Sequence, residues 1–281
     1  MSKKAVIVIS SHVARGSVGN RAAVFALETL GFPVWAIPTV TMPWHPGHGV
    51  STRIVADENA FGEFLTDIEN APWIDEVGAI LTGYMANPAQ VKSVAKLVSN
   101  IKAKNQDCVY LCDPVIGDFS GLYIPQETAS TIRDELIPRC DITTPNRFEL
   151  SWLLDQQSPK TIEETVQLAN QLEPEHVITT SCPTENSNQT GNLYYSAPKK
   201  LLATHTEFKD PPNGPGDLTA AIYLGHLLDK ISPEENLSIT TSSVFEILQN
   251  ATKRGSDELT LESDAQSIVK PKDRISLTDL T

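Results

Sequence analysis

Short apolar runs alternate with longer amphipathic segments along the first half of the chain. The apolar runs have the length and composition of buried strands and comprise Val6–Ser10, Val34–Ile37, Val77–Thr82 and Val109–Cys112. The segments between them carry apolar residues at helical spacing and comprise Gly19–Leu30, Asp57–Asn70 and Pro88–Lys104. This alternation predicts repeated strand–helix–strand units, and therefore a largely parallel sheet covered by helices on both faces.

The second half continues the alternation and adds an antiparallel pair. Helices are predicted over Pro125–Ile137, Arg147–Leu154, Ile162–Leu172, Asp217–Leu228 and Leu237–Thr252, and parallel strands over Asp141–Thr143 and Val177–Thr180. Leu193–Ser196 and Leu201–Phe208 predict the antiparallel pair, and Thr39–Val50, rich in Pro, His and Gly, predicts a loop. No internal repeat or linker-like break interrupts this pattern. Residues 1–281 are therefore predicted to form one α/β domain, with the tail from about residue 262 left unassigned.

Composition limits the classes of partner. The 281 residues carry a formal net charge of −13, which argues against nucleic acid or an anionic membrane surface as a partner. No stretch approaches the roughly 18 apolar residues of a membrane span, and the apolar part of the N-terminus is too short for a signal peptide. The four cysteines, Cys108, Cys112, Cys140 and Cys182, form no CxxC pair and are expected to be reduced and buried. These features predict a cytoplasmic protein.

The most informative local motif is Asn213-Gly214-Pro215-Gly216-Asp217, which opens the predicted helix over residues 217–228. Glycines let a ligand approach the backbone, and the first turn of a helix offers unpaired N–H groups to an anion. An aspartate is electrostatically unfavourable there unless it accepts a proton from a hydroxyl that attacks a phosphoryl group. The alternative is that Asp217 only caps the helix and the glycines only form the turn.

Polar residues follow most of the predicted parallel strands, where α/β sheets bind their ligands. Asp113, Asp118, Asn146 and Glu149 could provide oxygen ligands for Mg²⁺, directly or through water, although each is also a common turn or cap residue. No P-loop or dinucleotide-binding glycine motif is present. His45 and His48 have no further His or Cys nearby in sequence, so a zinc site there is not expected. The pattern favours a nucleotide, a divalent cation and a small alcohol as ligands.

Four motifs in a fixed order resemble the ribokinase-like superfamily and, within it, the pyridoxal kinase family. They are Ser11-His12-Val13 with Gly19-Asn20-Arg21-Ala22-Ala23, Asp113-Pro114-Val115-Ile116-Gly117-Asp118 with Gly121-Leu122-Tyr123, Thr144-Pro145-Asn146-Arg147-Phe148-Glu149, and Asn213–Asp217. Ser256-Asp257-Glu258-Leu259 is a fifth, weaker match. The resemblance extends from the first strand to about Leu261, and it implies a three-layer ribokinase-like fold with a mostly parallel central sheet.

The resemblance also implies an activity, which is ATP-dependent phosphorylation of the 5′-hydroxymethyl group of pyridoxal, pyridoxine or pyridoxamine. By position, Asp217 would be the catalytic base, and Gly214, Pro215, Gly216 and Asp217 would form the anion hole for the transferred phosphoryl group. The positions implied for ATP are Asp113, Tyr123, Thr144, Glu149, Thr180 and Phe208, of which Phe208 would contact adenine. Ser11, His45 and Tyr84 would line the vitamin pocket, together with Asp217. The implied cation site comprises Asp118, Glu149 and Asn146 for Mg²⁺, with K⁺ or Na⁺ as a further cation, and the implied assembly is a homodimer.

Two positions depart from the family pattern and keep alternatives open. Pro215 lies between the glycines where the family has a residue with an N–H. The anion hole would then have one donor fewer, or, if that amide is not aimed at the phosphoryl group, only a stiffer loop. In the substrate loop, Trp44-His45-Pro46 replaces Asn-His-Thr, which removes a hydroxyl. One alternative is a hydroxymethylpyrimidine kinase, although that branch typically has Cys in place of Asp217. The other is a kinase homologue of low activity that binds vitamin or nucleotide as a carrier or regulator.

Overall fold

The computed structural model describes residues 3–281 and contains a single large sheet. The strands are β1 (Ala5–Val13), β2 (Val34–Met42), β3 (Val77–Thr82), β4 (Val109–Cys112), β5 (Gly117–Asp118), β6 (Gly121–Leu122), β7 (Ile142–Thr143), β8 (His176–Cys182), β9 (Gln189–Ser196), β10 (Lys199–Thr206) and β11 (Leu277–Asp279). The helices are α1 (Asn20–Thr29), α2 (Glu58–Glu69), α3 (Pro88–Lys104), α4 (Gln126–Glu135), α5 (Arg147–Leu153), α6 (Ile162–Ala169), α7 (Pro215–Leu228), α8 (Pro233–Arg254) and α9 (Leu261–Val269).

The sheet has nine strands in the order β11-β10-β9-β8-β7-β4-β3-β1-β2. The six strands from β8 to β2 are parallel, and β9, β10 and β11 continue the sheet in antiparallel pairing. Strands β5 and β6 form a separate two-stranded hairpin. The mostly parallel sheet and the antiparallel pair β9–β10 confirm the sequence prediction.

Helices cover both faces of this sheet because successive strand residues point to opposite sides. In β1, Val6 and Val8 belong to a core shared with α1, α7, α8 and α9. Ile7 and Ile9 belong to the opposite core, which is shared with α2, α3 and α4. The three-layer arrangement predicted from the sequence is therefore confirmed.

The prediction of a loop over Thr39–Val50 was wrong for its first four residues, which belong to strand β2. The strand continues through Pro38 to Met42, and the turn that follows contains a short 3₁₀ helix over Pro46–His48. Proline ends most strands because it has no N–H to donate, but β2 lies at the edge of the sheet, where one side needs no partner. The predicted loop is thus shorter than expected and begins at residue 43.

Three further elements were not predicted. They are the hairpin β5–β6, the helix α9 and the edge strand β11, which pairs with β10. The last two belong to the tail that the sequence left unassigned. Helix α8 begins at Pro233 rather than at Leu237, because Ser232 accepts a hydrogen bond from the N–H of Glu235 and caps it there. Within residues 3–281, no helix combines the length and apolarity needed to cross a bilayer.

Candidate active site

Asp217 lies in the first turn of α7, at the carboxyl edge of the parallel strands. Gly214 is the N-cap with φ +103°, so Pro215, Gly216 and Asp217 are the first three helical residues. Proline at the first helical position leaves the helix intact, because that N–H has no intrahelical partner. A Cβ built on Gly83, just after β3, would lie 3.8 Å from Asp217 Oδ1 and 2.5 Å from Ser10 Oγ. The carboxylate therefore reaches the ends of β1 and β3.

The surroundings of Asp217 suit a group that accepts a proton near neutral pH. Burial raises the pKa of Asp217 to about 6. Hydrogen bonds from the backbone N–H groups of Gly19 and of Asp217 itself lower this pKa, but burial has the larger effect. A base with a pKa slightly below 7 is mostly ionised at neutral pH and still has substantial affinity for a proton.

Two glycines allow the backbone segments around Asp217 to pack closely. A Cβ on Gly19, which has φ +55°, would lie 2.3 Å from the carbonyl oxygen of Ser11. A Cβ on Gly214 would lie 2.1 Å from the carbonyl oxygen of Ser17. Both distances are far below van der Waals contact, so only glycine fits. The end of β1, the start of α1 and the start of α7 are held together in this way.

A second group of acids follows β4 and opens α5. Thr144 Oγ1 donates to Asp113 Oδ1 at 2.9 Å. Glu149 is buried at the third position of α5, where it forms a capping box with Asn146. Glu149 Oε2 accepts the N–H of Asn146 at 2.9 Å, and Oε1 accepts the N–H of Ile116 at 2.8 Å. These contacts connect α5 to the segment that leads into the β5–β6 hairpin.

The acids influence one another. Burial raises the pKa of Asp113 well above its ordinary value, and the negative charges of Glu149 and Asp217 raise it further. Burial likewise raises the pKa of Glu149 to about 7, although three backbone N–H groups act in the opposite direction. Three carboxyl groups thus share a buried region where a bound cation would favour their ionised forms.

The donor set around Asp113 and Glu149 fits a magnesium ion that keeps most of its waters. Mg²⁺ commonly takes only one or two carboxylates directly. Over the described residues 3–281, no cluster of three or more His, Cys, Asp or Glu side chains could enclose a metal. Asn146 is occupied otherwise, since Oδ1 accepts the N–H of Glu149 at 2.9 Å and Nδ2 donates to the carbonyl oxygen of Gly117 at 2.8 Å. Its observed contacts are those of a helix cap, and its role toward a cation stays a prediction.

Asp118 and Tyr123 belong to the β5–β6 hairpin region. Asp118 Oδ1 accepts the N–H of Ser120 at 2.7 Å, and Oδ2 accepts the hydroxyl of Tyr123. Burial raises the pKa of Asp118, but the hydrogen bonds from Ser120 and Tyr123 together outweigh it and lower the pKa below its ordinary value. Asp118 is therefore ionised at neutral pH, and its negative charge contributes to the raised pKa of Glu149.

The cleft beside this hairpin brings together cationic side chains in an otherwise acidic protein. It has a volume of about 570 Å³ and lies between the hairpin and the ends of β8 and β9. Arg147 and Lys160 line it together with Asp118. The guanidinium of Arg147 stacks on Phe119 at 4.4 Å from the ring centroid. Glu207 also lines the cleft, so two cations offset two carboxylates there, and the cleft is less acidic than the protein as a whole with its net charge of −13.

Thr180 and Phe208 occupy the antiparallel side of the site. Thr180 donates its N–H to the carbonyl oxygen of Pro145 at 3.0 Å, so it lies beside the Thr144 turn. The ring of Phe208 packs on Phe245 of α8 with centroids 5.2 Å apart. Phe245 was not identified from the sequence, because an aromatic residue in an amphipathic helix is indistinguishable from an ordinary core residue there.

The side of the site opposite the acids is formed by β1, by the residues after β3 and by the turn after β2. Ser11 is buried at the end of β1, and Ser10 Oγ accepts the N–H of Tyr84 at 3.1 Å. Arg53 lies over the Tyr84 ring, 5.6 Å from its centroid, and donates to its hydroxyl. Arg53 was also missed from the sequence, since nothing near it in the chain marks it out.

His45 opens the 3₁₀ helix after β2. Its Nδ1 accepts the N–H of Gly47 at 3.1 Å, and burial lowers the pKa of His45. A Cβ on Gly47 would lie 3.2 Å from Asn213 Nδ2, so this turn packs against the start of the motif that carries Asp217. The structure thus brings Ser11, Tyr84 and the His45 turn around the same edge of the sheet as Asp217.

Known proteins are similar to this chain over most of its length. The profile of the phosphomethylpyrimidine kinase family matches residues 62–262. A pyridoxal kinase PdxY from Rubrobacter xylanophilus is 33% identical over 273 residues, which cover 95% of this chain and 94% of that protein. A pyridoxal kinase PdxY from Corynebacterium diphtheriae is 30% identical over 272 residues, covering 95% and 96% of the two chains.

Among solved structures, the pyridoxal kinase from Leishmania donovani in complex with ADP and pyridoxamine superimposes with a TM-score of 0.92 at 27% identity, covering 99% of this chain and 100% of that one. The same enzyme in complex with ADP and pyridoxine gives a TM-score of 0.91 at 27% identity, with 99% of both chains covered. The chain therefore belongs to the phosphomethylpyrimidine kinase family and, within it, to the pyridoxal kinases, and it is a kinase with the ribokinase-like fold.

Proposed function

We propose that this kinase transfers the γ-phosphoryl group of ATP to the 5′-hydroxymethyl group of pyridoxal, giving pyridoxal 5′-phosphate, and that pyridoxine and pyridoxamine are also acceptors. The observation that carries the proposal is the position of Asp217. Its carboxylate lies in the first turn of α7, beside the ends of β1 and β3, with a pKa of about 6. The complexes of the L. donovani enzyme with ADP and pyridoxamine or pyridoxine support this choice of donor and acceptors.

In this mechanism the transfer is direct and in line, with no covalent intermediate. The Asp217 carboxylate accepts the proton of the 5′-hydroxyl as its oxygen attacks the γ-phosphorus. The negative charge on the transferred phosphoryl group is stabilised by the positive end of the α7 helix dipole and by an amide N–H of the first turn that has no intrahelical partner. Gly214, Pro215 and Gly216 form the cradle, with Pro215 shaping it rather than donating to it.

On the nucleotide side, the hydroxyl groups of Thr144 and Thr180 are assigned to phosphate oxygens, and Tyr123 to the loop that flanks them. Support comes from the bond between the Thr180 N–H and the carbonyl oxygen of Pro145, which holds Thr180 beside Thr144. Phe208 and Phe245 offer an aromatic surface for adenine. Asp118 and Glu149, with Asp113 beside them, would hold Mg²⁺ directly or through water, and the ion would neutralise charge on the phosphates. A monovalent cation, K⁺ or Na⁺, is a further candidate ligand of this acidic region.

On the acceptor side, Ser11 is assigned to the pyridine nitrogen, while Tyr84 and His45 line the ring pocket. Support comes from their placement around the carboxyl ends of β1 and β3, on the same edge as Asp217. Arg53 joins this group because its guanidinium is held against Tyr84.

Compartment and assembly are part of the same proposal. All four cysteines are free and buried, which suits the reducing cytoplasm. A homodimer is proposed because the resemblance to the pyridoxal kinase family implies one.

The test of the proposed function is acceptor profiling of the purified protein with ATP and Mg²⁺. Release of ADP is measured with pyridoxal, pyridoxine, pyridoxamine and the hydroxymethylpyrimidine alcohol, beside the shift in melting temperature that each ligand causes. We expect turnover with all three vitamers, and we expect the acceptor with the highest kcat/KM to be one of these vitamers and not the pyrimidine alcohol. A preference for the pyrimidine alcohol would instead assign the hydroxymethylpyrimidine kinase activity, and melting shifts without turnover would assign a carrier.

The raised pKa of Asp217 predicts how activity depends on pH. The Asp217 carboxylate can act as a base only when it is ionised. With a pKa of about 6, its ionised fraction begins to fall below pH 7, whereas an aspartate with the ordinary pKa stays largely ionised until near pH 4. We expect kcat/KM for pyridoxal at saturating Mg²⁺ to fall below about pH 6, reaching about one tenth of its plateau at pH 5. The check is the pH profile of the wild type beside that of Asp217→Asn. The same acidic limb in both proteins would contradict the assignment.

A further inference from the structure

The turn Ser256–Leu259 between α8 and α9 contacts the site from outside, and the proposed mechanism gives it no role. Its Glu258 is buried, with 6% of its surface exposed. Glu258 Oε1 lies 2.9 Å from His48 Nε2 and 3.3 Å from Arg15 Nη1. Arg15 belongs to the segment after β1, and His48 ends the 3₁₀ helix after β2. The neighbouring Asp257, which is exposed, also accepts from Arg15 Nη2 at 2.8 Å and lies 4.0 Å from His48 Nδ1. Glu258 is therefore the buried member of a carboxylate pair that joins two segments on the acceptor side of the site.

The contact with His48 fixes the turn that carries His45. The N–H of His48 donates to the carbonyl oxygen of His45 at 3.0 Å, so the two histidines belong to one rigid turn. The negative charge of Glu258 also reaches His45, where it raises a pKa that burial lowers more strongly. Any displacement of His48 from Glu258 would accordingly move His45 relative to the proposed vitamin pocket.

The backbone is shaped to admit this carboxylate. Gly16 has φ +104°, and a Cβ there would lie 2.5 Å from Glu258 Oε1. The same turn also holds Ser17, whose Oγ donates to the carbonyl oxygen of Leu259 at 2.8 Å. Ser17 is the residue whose carbonyl oxygen packs against Gly214. The Ser256–Leu259 turn thus supports both the His45 turn and the start of the Asp217 motif.

Glu258 is poorly arranged to act only as a stabilising residue. Its second oxygen, Oε2, is buried and has no hydrogen-bond partner among residues 3–281, and an unpaired buried carboxylate oxygen lowers stability. Asp264, a nearby buried acid, has both oxygens bonded. Its Oδ1 accepts from Asn250 Nδ2 at 3.0 Å, and its Oδ2 accepts from Arg254. Asp264 therefore has the contacts of a structural acid, whereas Glu258 leaves one oxygen unpaired and uses the other to contact the Arg15 segment and the His48 turn.

We infer that Glu258 is a positioning residue for the acceptor, which holds the His45–Gly49 turn against the vitamin pocket through His48. The inference rests on the proposed function, because it assigns that turn to acceptor binding. It predicts that removing the negative charge weakens binding of the vitamer and leaves the chemical step and the nucleotide site largely unchanged. Glu258 thereby contributes to affinity for the acceptor without touching it.

The test uses Glu258→Gln, which keeps the shape of the side chain and removes its charge. We expect KM for pyridoxal to rise about tenfold, because an uncharged amide oxygen replaces the carboxylate oxygen opposite His48 and Arg15 and holds them less strongly. The values of kcat and of KM for ATP should stay within about twofold. His48→Gln should raise KM for pyridoxal similarly, and the double variant should be no worse than either single one, since both remove the same contact.

Asp264→Asn is the matched control, because it neutralises a buried acid paired with an arginine in the same part of the chain. We expect it to lower the melting temperature without changing KM for pyridoxal. Wild-type KM for pyridoxal in Glu258→Gln, or an equal rise of KM for ATP, would overturn the inference. Should Glu258→Gln fail to fold, His48→Gln decides by the same criterion. If the wild type turns over none of the vitamers, the proposed function fails, and the inference is then decided by calorimetric titration of pyridoxal into the wild type and the variants. Weaker binding of pyridoxal to Glu258→Gln than to the wild type would support it, and equal binding would overturn it.

Discussion

Replacing Asp217 by Asn is expected to lower kcat for pyridoxal phosphorylation by about 10²–10⁴, the usual contribution of a general base. The amide has nearly the same shape as the carboxylate but cannot accept the proton of the attacking hydroxyl. The nucleotide site should be intact, because Asp113 and Glu149 lie on other elements. The negative charge of Asp217 raises the pKa of Asp113, so its removal makes the region less repulsive to phosphate. Binding of ATP should consequently be unchanged or slightly tighter.

The measurement for Asp217→Asn combines steady-state kinetics with calorimetric titration of ADP. Asp210→Asn provides a control, since Asp210 is an exposed acid in the segment that leads to the same motif. Asp210 has φ +51°, a conformation that Asn tolerates well, and its variant should keep kcat within about twofold. Wild-type kcat in Asp217→Asn would remove the assigned base, whereas loss of ADP binding would reassign the carboxylate to the nucleotide site.

The sequence predicted the elements that local signals define. Helix α3 occupies the predicted residues Pro88–Lys104, because Asn87 caps its N-terminus, Pro88 fits the first helical position, and Asn105 ends it. The parallel order followed from alternating strands and helices, and the strand ends carried the polar motifs to one edge. The positions of Asp113, Thr144 and Asp217 at that edge could therefore be anticipated.

What the sequence could not predict depends on tertiary context. Strand β2 continues through Pro38 only because it is an edge strand, and its edge position is not encoded nearby in the chain. Strand β11 has three residues and forms only by pairing with β10, far earlier in the sequence. Arg53, Phe245 and Glu258 contact Tyr84, Phe208 and His48 from separate segments, and each is an ordinary residue type for its local environment. Their contacts appear only when the segments pack together.

The departure at Pro215 also changes meaning once the helix is located. From the sequence, the missing N–H could have weakened the anion hole or only stiffened the loop. At the first position of α7, proline needs no hydrogen-bond partner and has a favourable φ for helix initiation. The helix that carries Asp217 is thus formed without distortion, and the difference from the family is confined to one donor at the mouth of the cradle.

Gly214→Ala is the second variant with a large expected effect. A Cβ there would lie 2.1 Å from the carbonyl oxygen of Ser17, a backbone atom that cannot move alone, and φ +103° is unfavourable for alanine by about 1–3 kcal/mol. Either the Ser17 segment or the start of α7 must shift. A displacement of about 1 Å at Asp217 would lower kcat/KM by about 10², because in-line attack depends on alignment.

Gly31→Ala separates the two causes of that loss. Gly31 has φ +84°, follows α1 at the opposite edge of the sheet, and its Cβ would meet only the end of Lys3 at 3.9 Å. This variant should lower the melting temperature through backbone strain alone and keep kcat/KM for pyridoxal within about twofold. Melting followed by circular dichroism and steady-state kinetics on both variants provide the comparison. An activity loss in Gly214→Ala no larger than that in Gly31→Ala would contradict the prediction. It would mean that the close packing of Ser17 against Gly214 does not determine the position of the Asp217 carboxylate.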